Sequence, residues 1–212
     1  LGAGVSGIGM AHSLLKEKNQ TFLIIEKNDG VGGTWRNNTY PGLCCDVPSH
    51  FYSYSFSMNP NWSKTFPEQY EILEYLENVT DKLNIRPHIK FNSEVKESKF
   101  NQKENYWETF LLNGDVYKSR SLVSGLGQLN NPKYPDIDGL SDFSGHSFHS
   151  AHWDHDYNLE GKKVAVIGNG PSAIGLIPKI AGKVEKLTSL QRSNKWIVPK
   201  PARAYGTCEK FS

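Results

Sequence analysis

Gly2-Ala3-Gly4-Val5-Ser6-Gly7 decides the reading of this chain, because it spells G-x-G-x-x-G and runs directly into a helical pattern. Ile8, Met10, Ala11, Leu14 and Leu15 follow at helical spacing. Thr21-Phe-Leu-Ile-Ile25 then reads as a short buried strand ending in Glu26, about 20 residues past Gly7, as a dinucleotide-binding unit requires. Gly2 permits the tight turn, Gly4 lets a pyrophosphate approach the backbone, and Gly7 lets helix and strand pack closely. The helix start, with Ser6 in its first turn, offers free N–H groups and positive dipole to phosphate. A carboxylate at the strand tip, Glu26, accepts from both ribose hydroxyls. A strand normally precedes this fingerprint and only Leu1 does here, so the first strand is expected upstream.

A second stretch, Lys162-Lys-Val-Ala-Val-Ile-Gly168-Asn-Gly170-Pro-Ser172-Ala173, repeats the pattern as G-x-G-x-x-A with its strand (Val164 to Ile167) present. Pro171 suits the first helical turn, whereas Pro178 should kink or shorten the helix. The next strand, Lys186 to Leu190, ends in Gln191-Arg192-Ser193 rather than in an acid. An arginine there suits a 2′-phosphate, so this site reads as NADP(H) and the Glu26 site as one for a ribose diol.

Between the motifs, Pro67 to Leu83 places Tyr70, Leu73, Leu76, Val79 and Leu83 on one helical face, with its acids read as a solvated face. Glu94 to Phe100, Tyr106 to Leu112 and Val116 to Val123 read as strands, with Asn113-Gly114 marking a hairpin. Leu122 to Gly127 runs an apolar strand into glycines, and Asn130 to Gly139 reads as a connector. The domains are therefore set at 1–138 and 139–212.

Composition narrows the function. The 212 residues suffice for one large domain or two small ones, and 12% aromatics support a real core. A net charge of +2 lacks the basic footprint of nucleic-acid binding. No apolar run approaches the roughly 20 residues of a membrane helix. Three cysteines, Cys44, Cys45 and Cys208, make no disulfide framework, which fits a reducing, cytoplasmic compartment.

Phe143-Ser-Gly145-His-Ser-Phe-His149-Ser-Ala-His-Trp153-Asp154 matches F-x-G-x-x-x-H-x-x-x-W-[P/D] and lies just before the second glycine motif. In this the chain resembles the type I Baeyer–Villiger monooxygenases, within the class B flavoprotein monooxygenases. The related N- and S-oxygenating flavin monooxygenases carry Tyr at the Trp153 position. Gly32-Gly33-Thr34-Trp35, Tyr40-Pro41-Gly42, Cys45-Asp46, Tyr52 to Phe56, Gln191 to Ser193 and Trp196 to Pro199 are similar too.

The resemblance implies an α/β fold with two Rossmann-like domains, a glutathione-reductase-like FAD domain and an NADP domain, both cut at the chain ends. It implies NADPH reduction of FAD, capture of O₂ as a C4a-peroxyflavin, and insertion of one oxygen into a small-molecule ketone to give an ester or lactone. On this resemblance Gly2, Gly4, Ser6, Gly7 and Glu26 hold FAD, as do Gly33, Thr34, Trp35 and Tyr52, with Val95 on the adenine side. Asp46 is the acid near the flavin that pairs with a catalytic arginine, expected beyond Ser212. Gly168, Gly170, Ser172 and Ala173 hold the NADP pyrophosphate, and Arg192 and Ser193 its 2′-phosphate. Phe143, Gly145, His149, Trp153 and Asp154 couple the domains as linker residues.

Two departures resemble the broader flavin-monooxygenase group. Arg36-Asn37-Asn38-Thr39 replaces a stretch often holding two aromatics and an Arg, and Cys44 replaces a common arginine. Oxygenation of an amine or sulfide is the alternative chemistry, and a catalytically incomplete dinucleotide-binding fragment the alternative class. His146, His149, His152 and His155 recur every third residue, but no Cys or Glu completes a ligand set, so no metal is expected. Adjacent Cys44 and Cys45 cannot form the spaced pair of a disulfide reductase and read as packing thiols. Asn37-Asn38-Thr39, Asn61-Trp62-Ser63 and Asn78-Val79-Thr80 match the glycosylation sequon by pattern only.

Overall fold

The computed structural model describes residues 1–17 and 20–206; Cys208 lies outside them. Two compact units form, Leu1–Arg36 with Leu73–Asn131, and Asn37–Ile72 with residues from Pro132 onward. This grouping is by packing, whereas the division at 138/139 is by nucleotide motif.

In the first unit, the glycine turn feeds α1 (Val5–Lys16), whose Ile8 and Ala11 are buried. β1 (Ile24–Ile25) pairs in parallel with β2 (Ile89–Lys90). On the other side of β1, the Gly2 N–H donates to the Ile25 carbonyl at 2.9 Å, and the Gly125 N–H donates to the Leu1 carbonyl at 2.8 Å. Leu1 and Gly2 thus run between β1 and the apolar Leu122–Gly127 stretch. Ile24, Ile25, Val31, Tyr75, Leu76, Val79 and Ile85 complete the core of this unit.

An antiparallel meander follows, with β3 (Val95–Asn101), β4 (Tyr106–Leu111) and β5 (Val116–Ser119) in that order. Gly114 takes φ +93° in the turn, as the Asn-Gly pair predicts. β5 stops at Ser119, short of the Val123 expected from sequence.

The α3 helix (Gln69–Lys82) corrects the predicted stripe. Ile72, Tyr75, Leu76, Val79 and Thr80 are buried, whereas Tyr70 is 54% exposed. Thr80 tolerates burial because its hydroxyl donates to the Leu76 carbonyl at 2.7 Å. Two of the acids are also more than a solvated face. Glu77 pairs with Arg36 at 2.5 Å, and Glu71 accepts from the Ser63 N–H at 3.0 Å.

In the second unit, β6 (Lys163–Ile167) pairs in parallel with β7 (Lys186–Leu190) over its whole length. α4 (Pro171–Ile180) has Pro171 in its first turn. Pro178 does not break α4, which continues to Ile180; the ring lies on the exposed side, where the lost bond falls one turn from the helix end. Tyr40, Leu176 and Ile180 form a buried cluster, with Leu43, Trp153, Leu159, Val164, Val166 and Leu187 packed against it.

The Tyr40-Pro41-Gly42 loop locks onto α4 through two glycines. A Cβ on Gly42, at φ +82°, would stand 2.2 Å from the Gly175 carbonyl oxygen; one on Gly175 would stand 2.7 Å from that of Gly42. Gly114, also at positive φ, faces open space. Gly114→Ala is therefore expected to cost about 1 kcal/mol of backbone strain. Gly42→Ala adds overpacking to strain and should cost about 3 kcal/mol or more. Urea unfolding midpoints check the pair, and equal costs would show that the Gly42–Gly175 approach contributes nothing.

Candidate dinucleotide sites

The first glycine turn is built by backbone crowding. Gly2 sits at φ +92°, and a Cβ on Gly7 would lie 1.9 Å from the Gly2 carbonyl oxygen, so only glycine fits. Gly4 ends the turn at the N-terminus of α1 and supplies no side-chain cap. The N-terminus of α1, with exposed Ser6 in its first turn, turns the positive end of the helix dipole toward an anion. Gly33, at φ +54°, comes so close that its Cβ would stand 3.1 Å from the Gly4 Cα. The Gly32 N–H donates to the Ala3 carbonyl at 3.0 Å, so the Gly32-Gly33 turn is fastened over the first one.

Glu26, 4% exposed, faces this turn. Its Oε2 accepts from the Ala3 N–H at 2.7 Å, and its Oε1 accepts from the Asn28 N–H at 2.8 Å. Each carboxylate oxygen keeps a further lone pair, so acceptance from ribose hydroxyls is compatible with these bonds. Thr34 and Trp35 open the short α2 (Thr34–Asn37) directly after Gly33. Val95 begins β3, paired with Leu111. The first unit thus brings together Gly2, Gly4, Ser6, Gly7, Glu26, Gly33, Thr34 and Trp35. Asp46 and Tyr52 belong to the second unit.

The second glycine turn is open where the first is crowded. Gly168, at φ +116°, receives its hold from Leu190, whose carbonyl accepts the Gly168 N–H at 2.8 Å. A Cβ on Gly168 or Gly170 would meet nothing within 4 Å. Gly170 precedes α4 without a side-chain cap, Ser172 lies in the first turn, and Ala173 is buried beneath it. Asn169 Nδ2 donates to the Ser193 carbonyl at 2.6 Å and to Gln191 Oε1 at 3.3 Å. That pair ties the Gln191-Arg192-Ser193 turn to the glycine turn, with Arg192 exposed beside it.

The Phe143–Asp154 segment is a chain of ring contacts. The Phe143 ring covers Gly145, where a Cβ would stand 2.4 Å from it. Phe148 meets Trp153 edge to face at 5.1 Å, and Trp153 packs on the Tyr40–Leu176–Ile180 cluster. His146 stacks on Tyr157 at 4.1 Å and approaches Asp154 at 2.8 Å. His149 Nδ1 accepts from the Ala151 N–H at 3.1 Å, capping a 3-10 turn, and its ring meets Tyr134 edge-on. His155 faces Thr39 Oγ1 at 2.7 Å. Among the described residues, no three His, Cys, Asp or Glu side chains gather as a metal site.

Asp46 is exposed and faces Lys200, whose Nζ lies 3.6 Å from Oδ1. The same ammonium donates to the Cys45 carbonyl at 2.6 Å and to Cys44 Sγ at 3.2 Å, over the Phe66 ring. Lys200 therefore fixes the turn that presents Asp46, and no sequence signal links it to a position over 150 residues away. Cys45 is buried, which pushes its thiol up, and its sulfur accepts from the Val47 N–H.

Two glycine turn–helix openings, one closed by a buried acid and the other preceded by a strand and followed by an exposed arginine, define an α/β protein with two Rossmann-like units. The chain belongs to the pyridine nucleotide-disulphide oxidoreductase family, whose profile matches residues 1–205. It is 46% identical over 210 residues to a Baeyer–Villiger monooxygenase of Streptomyces coelicolor, covering 99% of this chain and 40% of that protein. The crystal structure of cyclohexanone monooxygenase bound to ε-caprolactone superposes with a TM-score of 0.92 at 37% identity, covering 99% of this chain and 42% of that one. The OTEMO complex with FAD and NADP gives a TM-score of 0.90 at 33% identity, covering 99% of this chain and 41% of that one. The chain spans about 40% of the length of the relatives it matches. No helix among the described residues is long and apolar enough to cross a membrane.

Burial, and secondarily His152, holds the His149 imidazole below its ordinary value of about 6.5. Protonation would also turn the Nδ1 acceptor into a donor facing the Ala151 N–H. As pH falls through 6.5, the unfolded chain takes up this proton before the folded one, so stability falls. Urea midpoints between pH 7.5 and 5.5 should decline less steeply in His149→Gln than in the parent; identical slopes would contradict the assignment.

Proposed function

We propose that the protein carrying this chain is an FAD- and NADPH-dependent monooxygenase of Baeyer–Villiger type, inserting one oxygen of O₂ into a small-molecule ketone. The reading rests on two uncapped glycine-turn helices, one facing buried Glu26 and the other followed by Arg192. Similarity to proteins named Baeyer–Villiger and cyclohexanone monooxygenases supports this choice of reaction. Residues 1–138 serve the flavin, and 139–212 supply the linker and the first part of the NADP domain. Three cysteines and the absence of a disulfide framework favour the cytoplasm.

The residues present fit both cofactors. The α1 first turn and the Gly4–Gly33 approach suit the FAD pyrophosphate, Glu26 the adenosine ribose, and Thr34, Trp35 and Val95 further parts of that cofactor. The open cradle at Gly168 and Gly170, with Ser172 and Ala173, suits the NADP pyrophosphate. Arg192 and Ser193 suit its 2′-phosphate. Bound there, the flavin supplies hydride acceptance from NADPH and activation of O₂, while the protein orients it and excludes water. Asp46, held in its turn by Lys200, supplies the carboxylate that orders a neighbouring cation at the reaction centre. Phe143, Gly145, His149, Trp153 and Asp154 give the linker a fixed shape.

The purified protein, offered a cyclic ketone and a sulfide, should show ketone-dependent NADPH oxidation with lactone as product. Sulfoxide without lactone would transfer the assignment to heteroatom oxygenation. Arg192→Ala should raise KM for NADPH about 10- to 100-fold, as expected for loss of a hydrogen bond to a charged group, and leave KM for NADH unchanged. Equal loss with both cofactors would remove Arg192 from the 2′-phosphate.

A further inference from the structure

Tyr40 lies outside both glycine motifs, yet its hydroxyl donates to Ser172 Oγ at 3.1 Å. Ser172 stands in the first turn of α4, just past Gly170, where the helix has no side-chain cap. A serine hydroxyl carries one proton and two lone pairs. Accepting from Tyr40 uses one lone pair and leaves the Ser172 proton free to be donated outward.

The donor is held in place by its packing and by the backbone beside it. Tyr40 is 8% exposed and packed with Leu176 and Ile180, which are residues of α4 itself. Two residues further on, the Gly42 and Gly175 backbones approach too closely to admit a Cβ on either, so the loop cannot slide along the helix. Burial raises the Tyr40 hydroxyl pKa, against an opposing pull from Ser172, so the phenol stays protonated and donating at neutral pH. The second cradle is open directly beside this pair, with no atom within 4 Å of a Cβ placed on Gly168 or Gly170.

We propose that Tyr40 is a positioning residue for the nicotinamide dinucleotide: it orients the Ser172 hydroxyl so that its proton points to a pyrophosphate oxygen. This rests on the reading of the second glycine motif as the NADP(H) site. A hydroxyl that accepts one hydrogen bond is polarised and donates the next more strongly, so the chain from Tyr40 through Ser172 to phosphate is cooperative. Its effect falls on the pyrophosphate, which NADP and NAD share, and not on the 2′-phosphate.

The test is a titration of the flavin-loaded protein with NADP⁺ and with NAD⁺, followed by calorimetry, so that binding is read without turnover. Tyr40→Phe keeps the packed ring and should weaken both ligands by the same factor, about fivefold, with flavin content and unfolding midpoint unchanged. Ser172→Ala should weaken both by about tenfold, and adding Tyr40→Phe to it should change nothing more. If Ser172→Ala weakens binding and Tyr40→Phe does not, the positioning role is overturned while the site stands. A Tyr40→Phe loss that persists in the Ser172→Ala background overturns it too, because the Tyr40 hydroxyl then acts independently of Ser172. If neither Ser172→Ala nor Tyr40→Phe alters binding of either ligand, the proposal falls together with the reading of the second motif.

Discussion

Glu26 is buried, and its two oxygens bind the backbone N–H groups of Ala3 and Asn28. A buried carboxylate without partners would cost several kcal/mol, so those two charge-assisted bonds are what make the position tenable. They also impose geometry. The Ala3 bond fixes the glycine turn against the end of β1, and the Ala3 carbonyl then accepts the Gly32 N–H, placing the Gly32-Gly33 turn above Gly4. The first cofactor site is in this sense one carboxylate with two turns hung from it. Replacing Glu26 would loosen the turn together with the proposed ribose contact.

The two glycine motifs share a sequence pattern and differ in the constraint behind it. At Gly7 the requirement is steric, since the Gly2 carbonyl occupies the place of any Cβ. At Gly168 and Gly170 no protein atom lies within 4 Å of that place, which leaves the room that the proposed dinucleotide needs. Both helices begin without a side-chain cap. The positive end of each helix dipole favours an anion there, which is what the proposed pyrophosphate sites require.

What could be read from sequence was whatever depends on local periodicity or on a glycine's backbone. The second strand–turn–helix, the strand Lys186–Leu190, the meander and its Asn-Gly turn all follow from short-range pattern, and the structure carries each of them. The stripe on α3 was misplaced because Ile72, Tyr75 and Thr80 also fit a helical face, and burial of Thr80 depends on a side-chain bond that periodicity does not encode. The Lys200 contacts with the Cys44–Asp46 turn and the Tyr40–Ser172 bond join positions more than 130 residues apart. Such pairs leave no mark in a single sequence. The motif residues are legible in the sequence; the residues that hold the motifs in shape are visible only in the fold.

The central claim is that the two glycine sites serve a flavin and a nicotinamide dinucleotide in one oxidoreductase. Anaerobic rapid mixing of the flavin-loaded protein with NADPH tests it most directly. The account predicts bleaching of the flavin absorbance at a rate that saturates with NADPH, with half-saturation shifted upward in Arg192→Ala. A protein that binds flavin and NADPH yet shows no bleaching, or one that takes up no flavin at all, would contradict it.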